Sequence, residues 1–124
     1  MLISISNANP DPLYRQVSEQ IKEAIVSGQL APGTQLPSVR QLAMELQISV
    51  ITIKRSYSDL ESEGFLFSRA GQGTFVSNIQ PSDVAEQKRE EIKQRLRKLL
   101  QEANKFGISR ETLVTLLQEC EVEE

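Results

Sequence analysis

The 124-residue sequence contains no histidine and no tryptophan, and its one cysteine is Cys120. Zinc sites and histidine-based catalysis therefore lack their usual residues, and an internal disulfide is excluded. A single cysteine is typical of a reducing compartment. No apolar run approaches the ~18 residues of a membrane span, and no stretch resembles a secretory signal. We expect a cytoplasmic protein that is no enzyme, needs no metal or cofactor and does not enter the membrane.

Positive charge is also scarce, because 14 lysines and arginines face 17 aspartates and glutamates and leave a net charge of −3. This total argues against a polyanionic partner. The distribution is uneven, however, since four glutamates crowd into residues 119–124 whereas Arg40, Lys54, Arg55 and Arg69 lie between Ser38 and Gly73. A locally basic face on an acidic chain is compatible with DNA binding of low, salt-sensitive non-specific affinity.

The most regular pattern runs from Gly28 to Val76. Ser38 and Gln41 have the S-x-x-Q spacing of a capping box at the start of a helix. Ser49 is placed to cap a second helix, and two short strands then flank the glycines of residues 69–73. This order predicts a winged helix-turn-helix, which places one short helix in the major groove of DNA.

A helix is expected before this segment, and a short strand before that helix. Residues 2–5 alternate weakly between apolar and polar, which favours a strand. Asp11 followed by Pro12 is typical of an N-cap and a first helical position. Apolar residues between Leu13 and Ile25 then recur with helical spacing, and Gly28 is suited to end that helix.

Two further helices are expected beyond Pro81. The first carries an apolar heptad seam, and the second, capped by Ser109, has an apolar side. A second copy of the chain would bury both surfaces across a two-fold axis. The expected dimerisation residues are Ile92, Leu96, Leu99, Ala103, Phe106, Leu113, Leu116 and Leu117. The fold class is mainly α with a small β-wing: a winged helix-turn-helix at residues 10–78, then a two-helix dimerisation region at 82–120.

Many spaced positions agree with one known pattern. Residues 28–43 read G-x-L-x-P-G-x-x-L-P-S-x-R-x-L-A, residues 55–64 read R-x-Y-x-x-L-E-x-E-G, and residues 71–76 read GQGTFV. This pattern resembles the GntR family of transcriptional regulators and its YtrA subfamily in particular. The resemblance spans about residues 10–78, and the two-helix tail is also similar. It implies a homodimeric repressor without catalytic activity, bound to a pseudo-palindromic operator in double-stranded DNA that often controls transporter operons.

The resemblance also implies which residues contact DNA. Carried over by position, these are Ser38, Arg40, Ser49, Val50, Ile51, Thr52, Lys54 and Gly71, and we add Arg55. Val50 and Ile51 depart from the polar or basic side chains often found in related proteins. Plainer interpretations compete: the two serines fit as N-caps, Arg40 as a partner of Glu45, and Arg55 as a solvated side chain.

A second functional class also fits the chain, namely a protein-interaction module that uses the winged helix and the tail to bind a partner. Gel-shift binding that falls steeply with salt would separate the two. A regulatory half of a pyridoxal-phosphate enzyme is expected only if the chain is a fragment. No motif identifies a small-molecule effector.

Overall fold

The computed structural model describes residues 3–121 and divides into two units, the first ending at Ala85 and the second beginning at Glu86. The helices in these residues are α1 (Leu13–Ser27), α2 (Val39–Leu46), α3 (Val50–Ser62), α4 (Pro81–Lys105) and α5 (Arg110–Glu119), and the strands are β1 (Leu66–Arg69) and β2 (Gly73–Val76). The expected mainly α architecture with a small β-wing is confirmed. Within the described residues, no helix is long and apolar enough to cross a membrane.

The core of the first unit forms where the apolar stripe of α1 meets α3. Val17 and Ile21 of α1 and Ile53 of α3 are fully buried together in it. A polar contact joins the two helices inside this core, because the hydroxyl oxygens of Ser18 and Ser56 lie 2.7 Å apart. Such small side chains let helices approach closely, and the hydrogen bond satisfies both buried hydroxyls.

The start of α1 differs from the expectation. Pro12, and not Asp11, is the N-cap residue, and it provides no side-chain cap. The carboxylate of Asp11 instead lies 4.0 Å from Nε of Arg15, one turn into the helix. A carboxylate near a helix N-terminus is favourable through the helix dipole even when it accepts no backbone hydrogen bond. The Asp-Pro pattern therefore located the helix start without identifying the cap.

The strand expected at residues 2–5 is not found at 3–5, and Leu2 lies outside the described residues. Gln20 accepts from the backbone N–H of Ser4 at 3.0 Å and donates to its carbonyl at 2.7 Å. Gln16 pairs with both backbone groups of Ser6 in the same way, at 3.0 and 3.1 Å. A glutamine amide offers the donor and acceptor of a peptide group. The two glutamines of α1 therefore form the hydrogen bonds that a neighbouring strand would have formed.

The wing is anchored to the segment that precedes α2. Strands β1 and β2 pair antiparallel, with Leu66 opposite Val76 on the core side. The other edge of β2 accepts residues 33–36, through bonds such as Leu36 N–H to the Thr74 carbonyl at 2.8 Å. Backbone pairing on both edges of β2 therefore connects the hairpin directly to the entrance of the helix-turn-helix.

The second unit buries few side chains. Ser109 caps α5 as expected, accepting from the N–H of Thr112 at 3.1 Å. Among the described residues, no side chain of α5 is buried. Ala103, expected on the dimer seam, is already only 6% exposed within the single chain, so a partner would bury little more of it. The other seven expected dimerisation residues are half-buried or exposed.

Candidate nucleic-acid interface

The first turn of α2 presents Ser38 and Arg40. Ser38 Oγ accepts from the N–H of Gln41 at 3.1 Å, which confirms the expected N-cap. A complete capping box would add a second hydrogen bond, from the N–H of Ser38 to the side chain of Gln41. Here Gln41 Nε2 donates to Oε1 of Glu45 at 3.3 Å instead. Arg40 is exposed and has no ion pair within residues 3–121, so the alternative pairing with Glu45 is not seen. Its guanidinium is available to a phosphate or a base.

A tight turn sets the direction of α3. Gln47 ends α2 in the left-handed conformation with φ of 57°, and its N–H bonds to the Ala43 and Met44 carbonyls. Ser49 then caps α3, accepting from the N–H of Thr52 at 3.1 Å. The two hydroxyl oxygens of Ser49 and Thr52 are also hydrogen-bonded, at 2.7 Å. The predicted cap is confirmed, and DNA contact by these two residues stays a prediction.

The outer face of α3 is exposed along its first half. Val50 is half exposed, Ile51 is 79% exposed, and Lys54 and Arg55 follow on the same side. Ile53 is fully buried and points inward. A single exposed aliphatic side chain is ordinary on a protein surface, but Ile51 lies in the first turn of α3, and the thymine methyl in the major groove is an apolar surface that suits it.

A buried tyrosine holds α3 against the entrance to α2. The hydroxyl of Tyr57 donates to the carbonyl of Pro37 at 2.8 Å. Burial raises the pKa of this hydroxyl well above its usual range, and the nearby negative charge of Glu45 raises it further. A phenol is neutral at physiological pH even at its ordinary pKa, so Tyr57 is a neutral donor there, and its hydrogen bond fixes α3 beside the cap of α2.

The wing tip is a turn stabilised by a side chain from outside the hairpin. The N–H of Gln72 bonds to the Arg69 carbonyl at 3.0 Å, and Gly71 takes a positive φ of 75°, as the third residue of a type II turn does. Gln35 donates from Nε2 to the carbonyl of Gln72 at 2.8 Å. The exposed backbone of Gly71 is thus held in place from the segment before α2.

Two exposed residues of this surface were not singled out by the sequence analysis, and a third, Arg69, was noted only as one of the cations between Ser38 and Gly73. Met44 is as exposed as Ile51, Ser58 continues the outer face of α3, and Arg69 lies over the Phe67 ring at 5.4 Å. Met44 and Ser58 lie one helical turn beyond Arg40 and Lys54, so the i, i+4 argument could have found them. Arg69 and Phe67 lie two residues apart on β1, so the alternation of side chains along a strand places them on the same face. The nine predicted contact residues all lie in the first unit, and none is buried.

Replacing Gly73 by alanine is expected to disturb the wing. Its φ of 124° strains any L-residue, and a Cβ there would lie 2.6 Å from Gln35 Nε2. We expect a decrease of about 1–3 kcal/mol in unfolding free energy and weaker DNA binding, measured by thermal melting and gel shift. Gly71→Ala is the comparison for thermal melting: its φ of 75° also strains an L-residue, but its Cβ meets open space, so the decrease in unfolding free energy should be smaller. Equal effects of the two substitutions would contradict this account.

Among the described residues, no group of three or more potential metal ligands occurs. The arrangement is instead two helices joined by a tight turn, with a hairpin beside them. Its exposed side chains are cationic, hydroxylic or aliphatic, and these types contact phosphates, base edges and thymine methyls.

Comparison with known proteins gives consistent matches. The family described as "Bacterial regulatory proteins, gntR family" matches residues 13–76. The chain is 33% identical over 118 residues to the HTH-type transcriptional repressor YtrA of Bacillus subtilis (strain 168), covering 95% of this chain and 91% of that protein.

Two solved structures are similar as well. YtrA from Sulfolobus acidocaldarius, a GntR-family transcription factor, superposes with a TM-score of 0.62 at 31% identity, covering 77% of this chain and 98% of that one. AraR(DBD) in complex with operator ORE1 has a TM-score of 0.53 at 32% identity, covering 62% and 94%.

Proposed function

The chain belongs to the GntR family of bacterial regulatory proteins, whose members are transcriptional regulators and not enzymes, and on that premise we propose that it is a homodimeric repressor of a pseudo-palindromic operator. In this proposal α3 of each copy enters the major groove. The observation that carries it is the exposed first half of α3, where Ile51 and Lys54 face outward. Arg40 of α2 is exposed as well and has no ion pair among the described residues. The similar AraR(DBD) was solved with an operator, which supports the same binding mode here.

We propose that residues 10–78 bind DNA and residues 82–120 form the dimer. Helix α5 supports the second assignment, since it is ten residues long with no buried side chain among the described residues. Helices this short are marginal in water unless an apolar face is covered. The side chains that a second copy would cover include Ile92, Leu96, Leu99, Phe106, Leu116 and Leu117, all exposed in the single chain.

A dimer would also compensate for the small number of positive charges on one chain. One winged helix offers only a few cations, which is little for tight binding at physiological salt. Two copies at a fixed spacing add their contacts and select half-sites about one helical turn, or a multiple of it, apart. The pseudo-palindromic operator follows from the symmetry of the dimer.

Selection from fragmented genomic DNA tests this function. The protein is expected to enrich one two-fold motif, with recovered sites upstream of transporter operons, and its gel shift on that motif should weaken steeply as salt is raised. Failure to enrich any sequence would contradict the proposal and would favour the protein-interaction module.

Exchanging thymine for uracil in the selected operator is expected to weaken binding at the bases that Ile51 meets. Uracil lacks the methyl group, so the exchange removes the apolar surface while base pairing is kept. The measurement is a gel shift with single-position exchanges. In Ile51→Ala the same exchanges should have no further effect, whereas Met44→Ala, at an equally exposed residue, should leave the pattern unchanged. An operator in which no position responds would rule out the thymine contact.

A further inference from the structure

We propose that Tyr14 is a positioning residue of the DNA interface, which holds the guanidinium of Arg55 ready to bind a phosphate oxygen of the DNA backbone. This inference rests on the proposed DNA-binding function and adds a residue from α1, a helix that contributed no predicted contact. Tyr14 itself is not required to touch DNA.

The geometry around Arg55 is specific. Its guanidinium carbon lies 3.7 Å from the centroid of the Tyr14 ring, well inside the ~6 Å limit for a cation–π contact. Its Nε is 4.0 Å from Oδ2 of Asp59, too far for a hydrogen bond, and the Arg55 side chain remains 60% exposed. The charge is therefore oriented by two neighbours while the N–H donors remain open to solvent.

Hydrogen bonds hold the backbone of the two helices next to Tyr14 and Arg55. The carbonyl of Tyr14 accepts from Ser18 Oγ at 2.9 Å, and Ser18 bonds to Ser56, the residue that follows Arg55. The ring and the guanidinium are thus carried by two helices already held together in the core. Holding α1 to α3 does not require the exposed stack, which leaves the stack available for another role.

Stacking suits phosphate binding chemically. A ring covers one face of the guanidinium, whereas its five N–H donors lie in the guanidinium plane and can form paired hydrogen bonds to phosphate oxygens. Holding a long side chain in one conformation before binding also lowers the ordering cost of the complex. Because Arg55 leans from α3 toward α1, it lies at the flank of the recognition helix, where a helix in the groove meets the sugar-phosphate wall.

The test compares salt dependence among variants of the full chain. The probes are the selected operator and a short random-sequence duplex, since a phosphate contact is independent of sequence. Arg55→Gln is expected to reduce the slope of log affinity against log salt by roughly 0.9 for each phosphate that it no longer neutralises. Tyr14→Leu should weaken binding roughly threefold to tenfold but have no further effect in the Arg55→Gln background. Tyr14→Phe, which keeps the ring, should bind as the unmodified chain does.

Lys54→Gln is the matched control, because Lys54 is an exposed cation of the same helix with no ion pair among the described residues. Its effect should add to that of Tyr14→Leu. An unchanged slope in Arg55→Gln would show that Arg55 neutralises no phosphate and serves only as a contact between α3 and α1. Equal decreases in affinity from Tyr14→Leu with and without Arg55 would show that Tyr14 does not act through it.

Two further measurements keep the outcome clear. Thermal melting of each variant separates a folding defect from a binding defect, and Tyr14→Met replaces Tyr14→Leu if the latter does not fold. Arg55→Lys should retain the salt slope but lose most of its dependence on Tyr14, since an ammonium meets a ring as a point charge and does not stack as the planar guanidinium does; an undiminished dependence would contradict positioning by stacking. If the unmodified chain bound neither duplex, the proposed function would fail instead.

Discussion

Replacing Leu96 and Leu99 by glutamate is expected to convert the proposed dimer into a monomer and to lower operator affinity on the order of 100-fold or more. The two residues lie at adjacent turns of the α4 seam and are 56% and 49% exposed in the single chain. Burying two carboxylates against their copies is far more costly than leaving them in water, so the dimer should dissociate. Sedimentation measures the association state, and a gel shift measures the affinity.

The matched control is Gln94→Glu with Gln101→Glu, which adds the same charge to the face of α4 opposite the seam. That variant should remain dimeric and bind the operator. Substitution is preferable to ending the chain at Gln80, because Val84 is 1% exposed and belongs to the core of the first unit. A monomeric seam variant that still bound the operator tightly would show that α4 and α5 serve another purpose.

Arg40→Ala is expected to cost about 1–3 kcal/mol of DNA binding at each half-site. The proposed dimer would carry two copies of Arg40, so the effect on the whole operator is expected to be about twice as large if the sites are independent. The physical reason is that Arg40 is exposed in the first turn of α2, and Glu45 is bonded to Gln41 instead. Affinity is measured by gel shift at moderate salt, with thermal melting to check that the fold is intact.

Two companion variants interpret this result. Arg40→Lys keeps the charge but not the planar pair of donors, so it should preserve the salt-dependent part of a phosphate contact and should weaken a guanine contact more strongly. Arg89→Ala removes an arginine whose partner is Glu86 in α4 and should leave affinity nearly unchanged. If Arg40→Ala bound as tightly as the unmodified chain, Arg40 would not belong to the interface.

The sequence alone determined features that depend on neighbouring residues. The caps by Ser38, Ser49 and Ser109 were predictable, because each needs only a hydroxyl two or three residues before a free N–H. The inward turn of Ile53 and the outward turn of Ile51 follow from helical periodicity. One error was local too: Asp11 marked the start of α1 correctly but was taken for the cap, one position too early.

Tertiary structure decided the contacts between residues distant in the chain. The alternation before α1 did not show that glutamine amides of a helix would replace a neighbouring strand. Nothing in the spacing of Gln35 and Gln72 placed one against the carbonyl of the other. The stack of Arg55 on Tyr14 joins residues 41 positions apart. Periodicity reports which face of an element is buried, whereas such pairs depend on how two elements pack, which is settled only when the core has formed.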